Sequence, residues 1–435
     1  MKVLILLALC IVIVLAEETR KIRSTTSNHI VAGLNAGKEI ASFFENNTEI
    51  PKVLSSLAKN VAPFLGVIGP LVSFIAGFFN KPGPSAELLA IQRLAKDIDR
   101  RFDKVDSQFA EVKGLIQWNT VKVQYSDLEQ KINAVYRKYR EMYSAPTSAL
   151  AGEKVLFITN YESDFQNSGI KLYEGVLNVG NVFGDGLLIP CMKFTLYDRK
   201  KCGTFSSGIL KLLLRAAEVE LAYLQVKGLS KNVPYHTSQW KSRMYQIRSV
   251  MSHADSTIAN KYHDQSGADI DKYALDHSTN NMNNHDFANH LYSFLAKKYY
   301  WRDWLVIAYK DVTGDDKHFQ HECSGHLKFR DRGRNIVVAS VDKRKSHMDL
   351  NAAKTVVNGV TDHTSRQQHR PVHQTVYHRF NAHEAYDTFA SAAKSGCSPY
   401  AAAGVVQNEA SPSYAAAPGR FVLRNAKYNH IHIFG

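Results

Sequence analysis

The stretch that most resembles a catalytic motif is H-E-C-S-G-H, from His321 to His326. Zinc proteases carry two histidines four residues apart on one face of a helix, with a glutamate as general base. Here the histidines are five residues apart, so at about 100° per residue they would lie roughly 140° apart around a helix, and Gly325 disfavours helix. This spacing excludes the protease arrangement.

Other histidines raise the question of a metal site. Four residues could gather on a loop as zinc ligands, although a disulfide at Cys323 would remove one of them: His318, His321, Cys323 and His326. A later run, interrupted by Pro371, contains His363, His369, His373, His378 and His383. Its simpler interpretation is a polar surface that gains charge below about pH 6.5. Since no nucleotide-binding, hydrolase or paired-carboxylate motif is present, we expect no metal, no cofactor and no enzymatic activity.

Basic residues are dense between Leu327 and Lys345, where seven of them stand against only Asp331 and Asp342. They predict contact with an anionic surface, worth roughly 1 kcal/mol per well-placed cation on acidic lipid; the alternative is a solvated face. The residues are Lys328, Arg330, Arg332, Arg334, Lys343, Arg344 and Lys345. The net charge of +14 agrees with a polyanionic partner. Because export is predicted, an anionic membrane surface or an acidic glycan is favoured over nucleic acid.

Residues 61–79 carry no charge. As a helix this segment would extend about 28 Å, close to the roughly 30 Å hydrocarbon core of a bilayer. Pro63 and Pro70 interrupt it, which is unusual for a permanent anchor, so we expect a segment able to enter lipid conditionally. The predicted insertion residues are Phe64, Leu65, Val67, Ile68, Leu71, Val72, Phe74, Ile75, Phe78 and Phe79. The alternative is the buried central helix of a bundle.

Residues 1–16 have the features of a secretory signal, with Lys2 before an apolar run and small residues before Glu17. They predict a secreted, extracellular protein, and Asn46 begins a glycosylation sequon. Cleavage would leave four cysteines in an oxidising compartment. Three pairings are possible, and the spacing favours Cys191 with Cys202 and Cys323 with Cys397.

Hydrophobic periodicity predicts a mainly α protein. Apolar residues at heptad spacing over 88–116 and a second stripe over 128–142 indicate a coiled-coil-like hairpin of long helices. Further stripes over 205–223, 240–258 and 287–295 give at least five long helices, hence a helical bundle. Strand-like stretches follow over 304–309, 326–330 and 335–341, and a capping box at Asn381 and Glu384 begins a last helix.

We therefore expect a long-helix bundle followed by a small β-containing C-terminal region. The predicted boundaries are a signal over 1–16, the bundle with its apolar segment over 17–310, a small α+β region over 311–397, and a tail of low order over 398–435. The last boundary depends on the richness of the tail in Ala, Ser, Pro and Gly.

Four stretches carry a resemblance to a known family. They are R-R-F-D-K-V-D-S-Q-F-A-E-V-K-G-L-I-Q-W (100–118), N-Y-E-S-D-F-Q-N-S-G (160–169), K-Y-Y-W-R-D-W-L-V-I-A-Y (298–309) and C-S-G-H-L-K-F-R-D-R-G-R-N-I-V-V-A-S-V-D-K (323–343). Across roughly residues 85–360 the chain resembles the group that contains SE-cephalotoxin-like proteins and the fish Rapunzel proteins. Its layout is also similar to that of the jellyfish cytolysins.

The resemblance implies two alternative functions. The first is a secreted pore-forming or cytolytic protein, compatible with a homo-oligomer, in which the basic region meets an anionic surface and residues 61–79 then leave the bundle for lipid. The second is a non-lytic extracellular interaction, matrix or developmental protein, since Rapunzel proteins are associated with vertebrate development.

Overall fold

The computed structural model describes residues 28–45, 50–77, 86–115, 119–146, 148–179, 184, 186–368, 374–393 and 400–435. The chain divides into two compact units, Met1–Ala259 and Asn260–Gly435. The predicted end of the bundle at residue 310 is therefore wrong, because the helices after residue 260 pack against strands of the second unit. The predicted signal over 1–16 and the sequon at Asn46 lie outside the described residues.

The first unit is helical throughout its described part. A π-helical turn at Tyr161–Phe165 and a short 3₁₀ turn at Ser230–Asn232 interrupt the α-helices. The α-helices are α1 (28–45), α2 (Ile50–Gly66), α3 (Ile68–Gly77), α4 (Ala86–Leu115), α5 (Asn119–Ser144), α6 (Leu150–Asn160), α7 (Ser168–Leu177), α8 (Leu188–Phe194), α9 (Arg199–Val226) and α10 (Val233–Asn260).

Helix α9 is the central element of this unit. Every residue over 202–222 is buried, and α2 to α8 all pack around it. Small residues on α9 let its neighbours approach closely: a Cβ at Gly208 would lie only 2.2 Å from the Phe109 ring. The helix surrounded on all sides is thus α9, rather than the apolar segment 61–79.

The predicted hairpin of long helices is confirmed as α4 and α5. They run antiparallel, since Asp99 and Asp103 near the middle of α4 meet Tyr136 and Arg140 of α5, while Lys113 further along α4 meets Glu129. The heptad residues of α4 and α5 whose side chains the structure describes are buried in the same apolar core as α9. The sequence pattern therefore located these helices correctly, and their apolar stripes bury against a third helix.

The family-like stretch over 160–169 forms an unusual reversal between α6 and α7. After the π-helical turn, Gln166 (φ 46°) and Asn167 (φ 59°) are both left-handed. Gly169 then allows α7 to contact α9, because a Cβ there would lie 2.7 Å from the Ala216 Cβ. Backbone geometry and close packing explain these residues, since left-handed positions favour Asn and close approach favours Gly.

The second unit combines helices with two four-stranded antiparallel sheets. The first sheet has the order β3-β4-β1-β8, the second β2-β7-β10-β9, and β5 and β6 form a separate hairpin. The elements are α11 (Tyr262–Asp276), α12 (Asn284–Lys298), β1 (Arg302–Lys310), β2 (His318–Glu322), β3 (Gly325–Asp331), β4 (Arg334–Asp342), α13 (Leu350–Gly359), β5 (His363–Gln368), β6 (Gln374–Arg379), α14 (Ala382–Asp387), α15 (Ala390–Ala393), β7 (Ala402–Gln407), β8 (Ser413–Ala416), β9 (Phe421–Asn425) and β10 (Asn429–Phe434).

These elements form four layers. The two sheets face each other across a core that includes Leu305, Ile307 and Phe434. Helices α11 and α12 cover the outer face of the first sheet, and α13 to α15 cover the outer face of the second. Because β1 and β4 are buried on both faces, their sequences are nearly continuous apolar runs instead of alternating ones.

The predicted tail of low order over 398–435 is wrong. Residues 400–435 supply β7 to β10, and all six residues of β7 are buried. Strand β7 lies inside the second sheet, where a Cβ at Gly404 would lie 2.2 Å from Gln320 Oε1. The small residues that suggested disorder are therefore a packing requirement. The capping box at Asn381 and Glu384 is confirmed.

Candidate functional site

The apolar segment lies at the end of α2 and in α3, which a turn at Val67 separates. Six of its predicted insertion residues are buried, each at most 7% exposed: Phe64, Leu65, Val67, Ile68, Leu71 and Val72. Phe74 and Ile75 belong to α3, and Phe78 and Phe79 lie outside the described residues. In this structure the described insertion side chains face the protein.

Glycines hold the segment close to its neighbours. A Cβ at Gly33 of α1 would lie 2.4 Å from Val67 Cγ1, and one at Gly37 would lie 2.5 Å from the Phe64 ring. On the other side, a Cβ at Gly69 of α3 would lie 3.8 Å from the Val233 Cβ of α10. The segment is thus packed between α1, α9 and α10.

The outward face of the segment has no charged group. Its exposed residues over 61–73 are Pro63, Gly66, Pro70 and Ser73. A groove of about 470 Å³ runs between this face and α1, lined by His29, Ala32, Gly33, Pro63, Gly66, Val67 and Pro70. By length and composition the stretch Ile50–Ser73 could cross a membrane, although most of its apolar part is buried. Core helices of soluble proteins meet the same criterion.

Two carboxyl groups lie directly beneath the segment. Phe64, Ile68 and Leu71 line the same small cavity as Asp99 of α4 and Glu218 of α9. Burial raises the pKa of both carboxyl groups, that of Glu218 well above its usual value. The apolar segment therefore covers a polar layer in the bundle.

Aromatic hydroxyls from α5 connect this polar layer. Tyr136 and Tyr143 donate to the Asp99 carboxylate, and Tyr136 Oη lies 3.4 Å from Glu218 Oε2. Arg140 lies 3.3 Å from Asp99. Among the described residues Glu218 Oε1 has no hydrogen-bond partner. A neutral, protonated Glu218 suits this position, since an unpaired buried charge would be far more costly.

Basic side chains of α9 complete the layer. Arg215 contacts Asp103 at 2.7 Å and Asn133 at 2.9 Å, and its guanidinium lies 4.8 Å from the Tyr136 ring centroid. Lys211 is fully buried, and burial lowers its pKa to about 6. In the sequence these polar residues gave α9 the pattern of a helix with one apolar face. Its position at the centre of the unit could therefore not be predicted.

The predicted anionic-surface residues divide between the two ends of β4, a strand of nine residues. At about 3.3 Å per residue these ends are roughly 26 Å apart. One group lies in the β3–β4 hairpin and the other follows β4: Lys328, Arg330 and Arg332, and Lys343, Arg344 and Lys345. Residues that are dense in sequence thus form two separate groups on the surface.

Arg334 is not a surface residue, so its prediction is wrong. Its side chain is fully buried, it donates to the Met282 carbonyl at 2.7 Å, and its guanidinium lies 4.0 Å from the centroid of the Phe287 ring. Burial also lowers the pKa of Arg334. This arginine joins β4 to α12 and cannot meet an external anion.

Carboxylates neutralise several of the remaining cations. Lys328 pairs with Asp271 at 3.0 Å and Arg330 with Asp311 at 2.9 Å. Arg344 pairs with Asp342 at 2.7 Å, and its hydrogen bond lowers the pKa of that carboxyl to about 2. Since each pair cancels a charge locally, the attraction of these groups for an anionic surface is weaker than the sequence count suggested.

The two cysteines of the first predicted pair lie side by side but are not joined by a disulfide. Cys191 and Cys202 are thiols with sulfurs 2.7 Å apart. Burial raises the pKa of the Cys191 thiol well above its usual range, which disfavours the reactive thiolate. Cys323 is disulfide-bonded, and its predicted partner Cys397 lies outside the described residues. Both pairings stay predictions.

The histidines near Cys323 do not converge. His321 lies on β2 of the second sheet and His326 on β3 of the first. His318 contacts Tyr309 at 2.5 Å, whereas His326 contacts Ser266 at 2.9 Å. Within the described part of the chain, no group of three or more His, Cys, Asp or Glu side chains is arranged to hold a metal ion.

Comparisons with known proteins place these features in context. Residues 81–280 match the model of the cephalotoxin-like middle helical domain. Protein rapunzel of Danio rerio is 22% identical over 204 residues, which cover 47% of this chain and 87% of that protein. No solved structure matches the chain. The comparisons confirm the resemblance to the cephalotoxin-like and Rapunzel-like family.

Proposed function

We propose that this is a secreted, membrane-active protein without a catalytic step. In water it keeps the apolar segment of α2 and α3 against its bundle, and at an anionic bilayer it transfers that segment into lipid. The observation that carries the proposal is the uncharged outward face formed by Pro63, Gly66, Pro70 and Ser73. A helix that only covers a soluble core normally carries charge on its outward face, as α5 does at Arg137 and Glu141.

Gly66 permits a direct test of insertion. It is exposed, it is the last residue of α2, and a Cβ there meets no atom within 4 Å. Gly66→Lys should therefore leave the soluble fold intact, because a lysine at a helix C-terminus is favourable. In lipid the same charge would cost up to roughly 2.5 to 3.5 kcal/mol, less if it lies near the interface.

Gly359→Lys is a matched control. Gly359 is also exposed, ends helix α13, and has open space around its Cβ position, but it lies in the second unit. We expect the wild type and Gly359→Lys to release dye equally from anionic liposomes. Gly66→Lys should release it more slowly, by up to about 70-fold for 2.5 kcal/mol. Equal release by both variants would contradict insertion of this segment.

The second candidate is a non-lytic extracellular interaction protein. The similarity to Protein rapunzel favours it, and the burial of all six described insertion side chains is compatible with it. Under this alternative the wild type releases no dye at any lipid composition. Residues 61–73 would also keep their protection from hydrogen exchange when liposomes are added, whereas insertion exposes the part of α9 that they cover.

A further inference from the structure

The β5–β6 hairpin is not used by the proposed membrane activity. Residues 364–367 and 375–379 are all exposed, so both faces of the described hairpin are in water. A two-stranded hairpin that buries no face adds little to stability. Between His363 and Arg379 the sequence contains no acidic residue. The hairpin itself therefore contributes basic side chains and no acidic ones, and it buries neither of its faces.

Aromatic rings and cations combine at the base of this hairpin. Tyr377 is 58% exposed, and Lys427 from the β9–β10 turn lies 5.0 Å from its ring centroid. Lys427 and Arg379 each lie 5.1 Å from the Tyr428 ring centroid. His363 lies on the same face of the hairpin as Tyr377 and Arg379, because it pairs with Arg379 across the strands. The exposed tyrosine is thus bordered by positive charge.

The nearby carboxylates leave most of this charge free. Asp362 is buried and accepts from His363 Nδ1 at 2.7 Å and from the Tyr428 amide at 3.0 Å, so it anchors the backbone of Tyr428. Glu409 lies 4.0 Å from Arg379, but it binds Lys317 more closely, at 2.6 Å. Within the described part of the chain, Lys427 has no ion pair.

We propose that this hairpin surface, formed by Tyr377 and Arg379 of β6 together with Lys427 and Tyr428, binds a sulfated glycan. Sulfate groups match the separated cations, and the exposed Tyr377 ring can pack against the apolar face of a sugar. Lys427 contacts both tyrosine rings and Arg379 contacts one of them, so rings and cations alternate on this surface, as a sugar that carries sulfate groups requires. This inference does not depend on insertion of the apolar segment.

Binding of a heparin-derived oligosaccharide to the full chain tests the proposal. The double variant Arg379→Ala, Lys427→Ala removes two charges from the hairpin surface. The control Lys343→Ala, Lys345→Ala removes two charges from the turn after β4. We expect binding at least about ten-fold weaker for the first and nearly unchanged for the control. Unchanged thermal unfolding would show that both are folded.

Two further arms separate sulfate recognition from general attraction. Tyr377→Ala leaves the charge unchanged and should still weaken binding several-fold, and a desulfated oligosaccharide should bind the wild type at least about ten-fold more weakly. Equal losses in the two double variants would overturn the proposal, as would full binding by Tyr377→Ala. It would also be overturned if the hairpin variant lost binding to anionic vesicles but kept binding to the oligosaccharide.

Discussion

A reversible lock between α3 and α10 would show whether the apolar segment must leave the bundle. In the structure an added Cβ at Gly69 lies 3.8 Å from the Val233 Cβ, which equals the mean separation across a disulfide. The nearest obstacle, Val233 Cγ1 at 2.9 Å, disappears when valine becomes cysteine. The double variant Gly69→Cys, Val233→Cys should therefore form a disulfide without moving either helix.

The expected effect of the lock is large. The disulfide would close a loop of about 160 residues, which in the chain-entropy model stabilises the soluble form by roughly 5 kcal/mol. More directly, it ties α3 covalently to α10, so the segment cannot enter lipid while the bond is intact. We expect a raised thermal midpoint and no dye release in the oxidised form, and recovery of release after a reductant is added.

Several controls make the result interpretable. The wild type with and without reductant shows whether reduction of its own cysteines matters, and peptide mapping confirms that the new bond joins positions 69 and 233. The single variant Val233→Cys should behave like the wild type. If the oxidised double variant releases dye as fast as its reduced form, α3 does not need to separate from α10, and the proposed insertion is refuted.

Two other predictions concern the second unit. Arg334→Ala should lower the free energy of unfolding of this unit by roughly 2 to 4 kcal/mol, because a buried side chain and its contact with Phe287 are lost. The control Arg332→Ala should change the same free energy by less than about 0.5 kcal/mol. Equal effects of the two substitutions in urea unfolding would contradict the buried position of Arg334. Burial lowers the pKa of His432 to about 3. In the unfolded chain this histidine therefore binds a proton near pH 6.5, whereas in the folded protein it does not. Stability should therefore fall as pH drops from 6.5 towards 3, by up to about 1.4 kcal/mol per pH unit from this group, and His432→Gln should show a shallower fall.

The sequence predicted those elements whose apolar residues repeat regularly. The heptad pattern located α4 and α5, and the capping box located the start of α14. It did not locate α9 at the centre, because Lys211, Arg215 and Glu218 gave that helix a polar side in sequence. Arg215 pairs with Asp103 of α4 and Glu218 contacts Tyr136 of α5, and only the folded chain brings these residues together.

The two largest errors of the sequence prediction have the same cause, because the sequence does not show which residues the fold brings together. Composition suggested disorder after residue 398, but the small residues of β7 are what an inner strand needs when Gln320 and His432 cross above it. The density of basic residues along the sequence suggested one basic patch. In the structure, strand β4 separates the two halves of that patch, and the Arg334 side chain points into the protein. A linear count of charges does not contain the direction in which each side chain points.

Burial of the apolar segment is compatible with both proposed functions, and a free-energy comparison shows why. Moving six buried apolar side chains into water would cost roughly 1.5 to 3 kcal/mol each, so the segment stays packed in solution whatever the protein does. Moving them into lipid avoids nearly all of that cost, because hydrocarbon chains are as apolar as the core. The remaining cost is lost packing and exposure of the layer containing Asp99 and Glu218. The outward face therefore discriminates between the functions: charge there would oppose insertion directly, and positions 63, 66, 70 and 73 carry none.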